Sequence, residues 1–596
     1  MPEFTLQARR RTLFVMASLF ALAIALLIRL LDLQILRHDD LVARAQGIIY
    51  DERPLHARRG RIFDSKGRPL ALNLRGYVLW INGPNFDGNE ASRWIVSELC
   101  TWAPEGAAAL IRVGKTEDLG FFLCSRWVDR SIAEQLKELQ ESGDLQGISL
   151  EEEPRRYYPY GPLVAPVLGY LQDDSALALA ATEETRYVAH GGVEEFHDAL
   201  LRGEEGKVQM EKDPFGFPIP TGYSREFPPV DGAQITLTLD LAIQYQAYKV
   251  LVEAVQKAEA KRGDIIVLDP NSGAILAMAS YPSYNPNDIF ACASNPDCGE
   301  YMHVNPPIGT HYEPGSTMKI LTIAIALEEH LIRPDSAFEC TGEVWVGGIP
   351  FHNWNGQAHG HETVSEILLH SCNVGAVTVN MLVDPEVYYH YLGRLGFGQL
   401  TGVDMAGEAN GTVRSPKMAG WTEVDQAANA FGQAIDVTPL QLAAASSAVA
   451  NGGDLWQPYI VQKIKQGDDI TTTASAFRGR VFREETCREV TSMLAAIGAV
   501  KGKDGGALIP GYRVALKTGT AQIPVPGGDY EPHRTFASAI GYAPADEPQF
   551  LILVRIEGNS VIWGEEVAVP VVRDLTGFLL QYLHIPPSLG ENTIGP

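Results

Sequence analysis

Residues 311–330, HYEPGSTMKILTIAIALEEH, carry a serine and a lysine three positions apart in an otherwise apolar helical pattern. Pro314 and Gly315 before Ser316 are typical of a helix start, which puts Lys319 one turn later on the same face. A lysine in apolar surroundings has a lowered pKa, and its neutral amine accepts a proton from a serine hydroxyl. Backbone N–H groups at a helix start also favour a developing oxyanion. The pattern predicts an activated serine nucleophile, although this spacing also occurs by chance in lysines that simply reach solvent.

Two later motifs offer groups that such a nucleophile needs. SCN, Ser371 to Asn373, supplies a hydroxyl that can relay a proton and an amide that can hold a substrate. KTGTA follows the apolar run YRVAL and predicts a strand with a cation at Lys517, a hydroxyl at Thr518 and close backbone approach at Gly519. The order SxxK, SxN, KTG is the motif set of penicillin-binding proteins and class A β-lactamases.

The chain resembles the class B penicillin-binding proteins, which are peptidoglycan D,D-transpeptidases, over nearly its whole length. RLLDLQI, RRGRIFDSKGRPLA and GDIIVLDPNSGAILAMASYPSYNPN are similar to the end of their membrane anchor, their pedestal and the start of their catalytic domain. EPGSTMK, FGQAIDVTPLQLAAASSAVANGG and GYRVALKTGTAQ look most like the septal, FtsI-like branch. EEVAVPVV is more acidic than usual, and Cys372 fills the middle of SxN.

The resemblance implies a role for each motif residue. Ser316 attacks the penultimate D-Ala carbonyl of a stem peptide, and Lys319 accepts its proton. Ser371 passes a proton to the leaving amine, and Asn373 binds the peptide backbone. The third motif supplies the remaining substrate-binding residues: Lys517, Thr518, Gly519 and Thr520. Lys517 and Thr518 hold the terminal carboxylate, and the N–H of Thr520 joins the N–H of Ser316 in an oxyanion hole. No cofactor and no metal ion are implied, and β-lactams would acylate the same serine.

The same resemblance implies an α+β fold with an N-terminal membrane helix, an elongated β-rich pedestal and a C-terminal transpeptidase domain. That last domain would be serine β-lactamase-like, with an antiparallel sheet flanked by helices. Local patterns support this order: 264–280 predicts a hairpin around DPNSG, 243–255 a helix, and 191–207 a helix between glycine breaks. Strands near 513–557 would close the sheet of the first hairpin. The predicted segments are a cytoplasmic tail at 1–11, the anchor at 12–31, the pedestal (dimerisation-like) domain at 40–230, the transpeptidase domain at 231–585 and a C-terminal tail at 586–596.

An uncharged stretch, Thr12–Ile28, follows three arginines at 9–11. It is at the short end for a membrane span, and Leu30 and Leu31 extend it if Arg29 snorkels. A cleavable signal peptide is the alternative, but the helical pattern continues past any cleavage site. The arginines predict a single-pass protein of the inner (cytoplasmic) membrane with its N-terminus inside and its catalytic domain outside.

The formal net charge of −25 argues against a nucleic-acid binder. The partners implied by the resemblance are stem peptides ending in D-Ala-D-Ala, β-lactams and a SEDS-type glycosyltransferase, FtsW-like or RodA-like. The last is expected because the chain carries no second set of catalytic motifs that could polymerise glycan.

Seven cysteines have no CxxC spacing, which argues against a zinc site. Cys292 and Cys298 flank a short turn and could pair in an oxidising compartment, or remain small buried hydrophobes. HGHETVS at 359–365 lacks the second histidine of a zinc-protease motif, so its histidines are expected to line a loop. Cys372 has no neighbouring histidine that would make it a nucleophile.

Four functions share these motifs. A septal transpeptidase is favoured, with an elongation-type transpeptidase working with a RodA-like polymerase as the alternative. A β-lactamase or carboxypeptidase would usually lack the segment at 50–230. A catalytically inactive scaffold is disfavoured because the nucleophile, its base and the SxN and KTG residues are all present.

Overall fold

The computed structural model describes residues 3–173, 187–213, 219, 221–289, 304–502, 508–525 and 530–587. Contacts between residues divide the chain into two compact units, one formed by 1–59 with 202–232 and the other by 60–201 with 233–596. Cys292 and Cys298, the pair considered from the sequence, lie outside the described residues.

The first unit begins with a long apolar helix, Glu3–Leu31, whose described side chains are exposed almost throughout. With the π-helical turn that follows, it forms the one candidate membrane span among the described residues, Gln7–Leu36, by length and composition. Arg29 pairs with Asp32 at 2.6 Å near the end of this span. The rest of the unit is a helix and a three-stranded antiparallel sheet: His38–Ile49, Tyr50–Leu55, Gly206–Glu211 and Ser224–Phe227.

The second unit contains a seven-stranded sheet that draws on distant parts of the chain. Its path runs Asp469–Thr472, Val461–Gln466, Gln234–Leu237, Ile62–Phe63, Pro69–Asn82 and Phe121–Asp129, with Ile148–Tyr157 also paired to Pro69–Asn82. RRGRIFDSKGRPLALN forms a strand, a turn and a second strand, with Ile62–Phe63 paired antiparallel to Pro69–Asn82. This sheet crosses the predicted boundary near residue 230, because Gln234–Leu237 pairs in parallel with Ile62–Phe63.

Helices and short strand pairs surround this sheet. The helices before residue 204 are Glu90–Leu99, Ala107–Arg112, Arg130–Glu141, Ala165–Leu168, Gly192–Phe196 and Asp198–Arg202. The single helix predicted over 191–207 is therefore wrong: His197, with φ −107°, leaves the helical region and separates two short helices. Cys100 and Cys124 form a disulfide at the hydrophobic core formed by residues between 77 and 148, and this pair was not predicted from the sequence.

A five-stranded antiparallel sheet carries the third motif. In spatial order its strands are Ile275–Tyr281, Arg262–Leu268, Phe550–Glu557, Tyr530–Ala543 and Ala515–Pro524. The hairpin predicted at 264–280 is confirmed, and so is the pairing of the first strand with the last, Arg262–Leu268 with Phe550–Glu557. Ala515–Pro524, called here the KTG strand, lies at the edge of the sheet.

Helices cover this sheet and hold the other two motifs. They are Leu241–Lys257, Lys319–Glu328, Val364–His370, Asn373–Asn380, Pro385–Arg394, Glu423–Asn429, Pro439–Ala450, Glu484–Gly498 and Gly564–Tyr582. Pro439–Ala450 is buried at every position, and Lys319–Glu328 at every position but the last, so both lie inside the core. Burial of both helices on all sides explains why their sequences are largely apolar, and it places Lys319, the first residue of Lys319–Glu328, in the interior.

Candidate active site

Ser316 lies in a short 3-10 turn, Gly315–Met318, that leads directly into the α-helix Lys319–Glu328. The predicted helix start is thus present, with a first turn that is tighter than the α-helix after it. Ser316 is half-buried, whereas the other three residues of the turn are buried. The serine is therefore the side chain of this turn that a ligand can reach.

Two glycines let this serine turn pack tightly. Gly315 has φ +59°, and a Cβ on it would lie 2.9 Å from the carbonyl oxygen of Thr520 in the KTG strand. On its other side, the N–H of Gly315 donates to the carbonyl of Gly432 at 3.0 Å, and a Cβ on Gly432 would lie 2.2 Å from the Gly315 oxygen. The turn is held between the KTG strand and the loop at Gly432, with no room for side chains at either glycine.

Lys319 is fully buried and reaches the second motif. Its Nζ lies 2.7 Å from Asn373 Oδ1, 2.6 Å from the Ser371 carbonyl and 3.3 Å from Ser371 Oγ. The first two motifs, more than 50 residues apart, are therefore joined by this one amine.

Ser371 ends one helix and precedes another. It caps Val364–His370 in the left-handed region at φ 56°, and Asn373 opens the helix Asn373–Asn380. This sharp turn directs the Ser371 hydroxyl between two lysines, because Lys517 Nζ donates to it at 3.0 Å. A hydroxyl that contacts both amines can carry a proton between them.

The KTG strand supplies Lys517, which is also buried. Its Nζ donates a second hydrogen bond to the Thr518 carbonyl at 2.9 Å. Gly519 is needed because other parts of the protein, rather than a ligand, come close to its backbone. A Cβ at this position would lie 2.5 Å from Ser538 Oγ and 3.1 Å from the Pro314 carbonyl oxygen. Thr520 Oγ1 accepts from the N–H of Gly564 at 3.1 Å. The structure thus brings all three motifs together.

Burial sets the charge state of the two lysines. Desolvation lowers the pKa of Lys517 to about 7. Desolvation also lowers the pKa of Lys319 well below its usual value, and the nearby charge of Lys517 lowers it further. An amine with a depressed pKa is neutral for part of the time near neutral pH, as a general base must be.

Asn353 supports the second motif and was not identified from the sequence. Its Oδ1 accepts from the N–H groups of Asn373 at 2.9 Å and Val374 at 3.2 Å, while its Nδ2 donates to the Gln357 carbonyl at 2.8 Å. Asn353 is 3% exposed and lies 20 residues before Asn373, so no local pattern could indicate this role.

Glu313, which lies just before the serine turn, and the aromatic pair Trp354 and Trp563 were also missed. Glu313 Oε1 accepts from the Ala434 N–H at 2.8 Å and from the Tyr530 hydroxyl at 3.2 Å, and burial raises the pKa of Glu313 to about 7. Trp354 and Trp563 contact each other at 5.0 Å between ring centroids, and Trp354 is 61% exposed. Trp563 is half-buried, so the exposed face of Trp354 is the part of this pair on which a ligand can pack.

Matches to family models cover most of the chain. The penicillin binding protein transpeptidase domain matches residues 263–577, and the penicillin-binding protein dimerisation domain matches residues 54–237.

Several relatives match most of this chain. Stage V sporulation protein D of Bacillus subtilis is 31% identical, over 97% of this chain and 86% of the relative. The peptidoglycan D,D-transpeptidase FtsI of Escherichia coli K12 is 29% identical, over 95% of this chain and 91% of the relative. Penicillin-binding protein PbpB of Mycobacterium tuberculosis is 30% identical, over 81% of this chain and 69% of the relative.

Solved structures share the fold. Penicillin-binding protein 2X of Streptococcus thermophilus has a TM-score of 0.73 at 20% identity, over 88% of this chain and 80% of that one. Penicillin-binding protein 3 of Mycobacterium tuberculosis, solved with aztreonam, has a TM-score of 0.66 at 25% identity, over 90% of this chain and 99% of that one.

Proposed function

The chain belongs to the class B penicillin-binding proteins, which are serine-type peptidoglycan D,D-transpeptidases, and on this premise we propose that Ser316 is its acylated nucleophile. The observation that carries the proposal is the contact of two buried lysines with one hydroxyl, that of Ser371, beside the accessible serine turn. Ser316 Oγ attacks the carbonyl of the penultimate D-Ala, and the C–N bond to the terminal D-Ala breaks.

Lys319 takes the proton of Ser316. Its lowered pKa supports this role, because the neutral amine is the form that accepts a proton. Ser371 then delivers a proton to the leaving amine, and its contacts with both lysines support a relay that is refilled from Lys319.

The remaining motif residues hold the substrate. Asn373 binds the stem-peptide backbone through its side-chain amide. Lys517 and Thr518 bind the terminal carboxylate, and Gly519 keeps the strand close to the serine turn. The N–H groups of Ser316 and Thr520 stabilise the oxyanion, which the close packing of Gly315 on the Thr520 carbonyl supports.

An amino group of a neighbouring stem peptide resolves the acyl-enzyme. Its nitrogen forms the new amide bond, Ser316 leaves as the alcohol, and the proton released by the nucleophile returns to the serine through Lys319. A β-lactam enters the same route, since opening its ring acylates the serine. The ligands named for the Mycobacterium tuberculosis neighbour structures, aztreonam and ampicillin, support this assignment.

We further propose that the enzyme acts in septal wall synthesis. Similarity to proteins named FtsI supports this role, whereas another relative is named stage V sporulation protein D. An elongation-type enzyme is the second candidate. Depletion in the native bacterium distinguishes the two: filaments with blocked septa support division, whereas rounded cells support elongation.

The apolar helix that spans Gln7–Leu36 supports single-pass anchoring. We propose that the N-terminus lies in the cytoplasm, that residues after the helix lie outside, and that an FtsW-like or RodA-like glycosyltransferase docks on the anchor and pedestal. The disulfide Cys100–Cys124 is compatible with an oxidising exterior. Co-purification of this polymerase with the full chain in mild detergent, and its loss when the anchor helix is exchanged, tests the partner.

Labelling with a fluorescent penicillin tests the nucleophile and its base. We expect wild type to be labelled on Ser316, as mapped by peptide mass, and both Ser316→Ala and Lys319→Ala to lose the label. Lys249→Ala removes an exposed lysine from the helix Leu241–Lys257 and serves as the control that keeps the label. A folded wild type that takes no label would indicate an inactive scaffold, and rapid hydrolysis of the acyl-enzyme would indicate a β-lactamase or carboxypeptidase.

A further inference from the structure

Four potential metal ligands meet directly behind the SCN motif: Cys340, His359, Glu362 and Cys372. Cys340 ends the strand Ala337–Cys340, and Glu362 belongs to its antiparallel partner Gly360–Thr363. One ligand atom from each of the four side chains lies within 4.8 Å of all the others. We call this group the thiol cluster.

The distances within the thiol cluster are near those of a tetrahedral site. The two sulfur atoms are 3.2 Å apart, and His359 Nδ1 is 3.2 Å from Glu362 Oε1. Zinc–sulfur and zinc–nitrogen bonds of ~2.3 and ~2.0 Å put tetrahedral ligand atoms ~3.8 Å apart for two sulfurs and ~3.3 Å apart for nitrogen and oxygen. To admit the ion, the two sulfur atoms would have to move apart by ~0.6 Å, and ligand pairs near the 4.8 Å limit would have to move closer together.

Two polar atoms of the cluster form no hydrogen bond with the described residues: Glu362 Oε2, and His359 Nδ1, whose 3.2 Å approach to Glu362 Oε1 is an ion-pair contact only. Glu362 is only 2% exposed, so its unpaired oxygen is buried rather than solvated. A buried carboxylate with an unpaired oxygen, against two thiols in contact, carries a desolvation cost that a divalent cation would remove.

The chemistry of the ligands selects the metal. Two thiolates with an imidazole favour zinc over calcium or magnesium, which prefer oxygen. Four protein ligands leave no open position, which is the pattern of a structural rather than a catalytic site. His370 Nδ1 lies 2.6 Å from Glu362 Oε1 and would orient the carboxylate from outside the ligand set.

We propose that Cys340, His359, Glu362 and Cys372 bind a structural zinc ion that holds the SCN turn in place. The absence of CxxC spacing argued against zinc in the sequence, but here each ligand comes from a separate position along a folded hairpin and helix junction. Cys372 stands between Ser371 and Asn373, both of which contact Lys319 Nζ. The ion would therefore fix the lysine's partners, a consequence that rests on the proposed function, whereas metal binding itself does not.

Metal analysis of the full chain, purified in detergent under reducing conditions with a tag free of histidine, tests the proposal. After loading with zinc and gel filtration, we expect wild type to retain about one zinc ion per chain. The retained zinc should fall ~10-fold or more in Cys340→Ser, Glu362→Gln and Cys372→Ser. Cys487→Ser is the matched control, because Cys487 is a buried free thiol outside the cluster. Wild type that retains no zinc, or a Cys340→Ser variant that retains as much as wild type, would overturn the site.

Cobalt substitution keeps the test decisive if the cysteine variants fail to fold. Wild type loaded with Co²⁺ should show the d–d bands of a tetrahedral ion and the charge-transfer intensity of two thiolates, and an octahedral spectrum without thiolate bands would refute the site. Mass spectrometry of the protein as isolated from its native membrane provides a third readout. A Cys340–Cys372 disulfide there would overturn the zinc assignment, since it would consume two ligands.

Acylation separates this proposal from the proposed function. Chelation of the zinc-loaded enzyme should slow penicillin labelling roughly 10-fold, and added zinc should restore it. Normal labelling after the zinc has been removed would refute the claim that the ion holds the SCN turn in place, and would leave the transpeptidase assignment intact. Zinc bound at full occupancy in a protein that takes no label would leave the metal site intact and refute the transpeptidase assignment.

Discussion

Gly315→Ala should uncouple the serine turn from the KTG strand. A Cβ at this position would lie 2.9 Å from the Thr520 carbonyl oxygen, so the two backbones must separate by about 0.5 Å to reach ordinary contact at 3.4 Å. The new side chain must also adopt φ +59°, which costs an L-residue about 1–2 kcal/mol. Both effects act between the nucleophile and the strand that carries the proposed oxyanion donor.

Because a 1 Å misplacement can cost about 100-fold in rate, we expect the second-order rate of penicillin acylation to fall roughly 10- to 100-fold in Gly315→Ala. Stopped-time labelling over a range of penicillin concentrations measures that constant, and thermal unfolding measures stability in parallel.

Gly396→Ala is the matched control, since Gly396 has φ +89° but a Cβ there meets no atom within 4 Å. It should lose stability through the same backbone strain, without the close contact, and keep its acylation rate. Wild-type acylation in Gly315→Ala would refute the argument that close packing of the turn on the strand sets the geometry.

Three other perturbations have defined outcomes. Asn353→Ala removes the acceptor for the first N–H groups of helix Asn373–Asn380, so the free energy of unfolding should fall by about 1–3 kcal/mol and labelling should slow; unchanged values in thermal unfolding and labelling would contradict its positioning role. The pKa of Lys517, about 7, predicts that β-lactam affinity weakens as pH rises above 7, because the ammonium that binds the carboxylate is lost. In Lys517→Arg, whose charge does not titrate, that alkaline limb should be absent from the pH profile of labelling. Cys100→Ser with Cys124→Ser opens a loop of 24 residues and should lower stability by about 3 kcal/mol in denaturant unfolding, with labelling unaffected; slower labelling would show that the disulfide also supports the active site.

Local patterns along the chain predicted the elements that hold the first and third motifs. The apolar run after Ser316 indicated a buried helix, and the apolar run YRVAL indicated the strand that carries KTG. The two apolar runs around DPNSG indicated a hairpin, and all these signals depend on neighbours a few residues away. The closure of the sheet by its first and last strands also followed from order and hydrophobicity.

Contacts between distant residues could not be predicted in the same way. The Ser371 hydroxyl lies between Lys319 and Lys517 only because a left-handed turn joins two helices, and no spacing in the sequence encodes that arrangement. The thiol cluster and the disulfide Cys100–Cys124 likewise join positions whose separations carry no motif. The break at His197 was missed because glycines at both ends of 191–207 suggested one helix, whereas the backbone leaves the helical region in the middle.

The two buried lysines of the active site destabilise the folded state. At pH values below about 7 Lys517 is charged in both states, so its full desolvation cost opposes folding; as pH rises from 7 toward 10.5 the folded state has already released its proton, and the cost fades. The enzyme is therefore expected to trade stability for activity, and Lys517→Met should be inactive yet unfold at a higher temperature. An inhibitor that brings a carboxylate to this amine would supply the missing counter-charge, so tight acylation should register as a rise in melting temperature as well as a loss of activity.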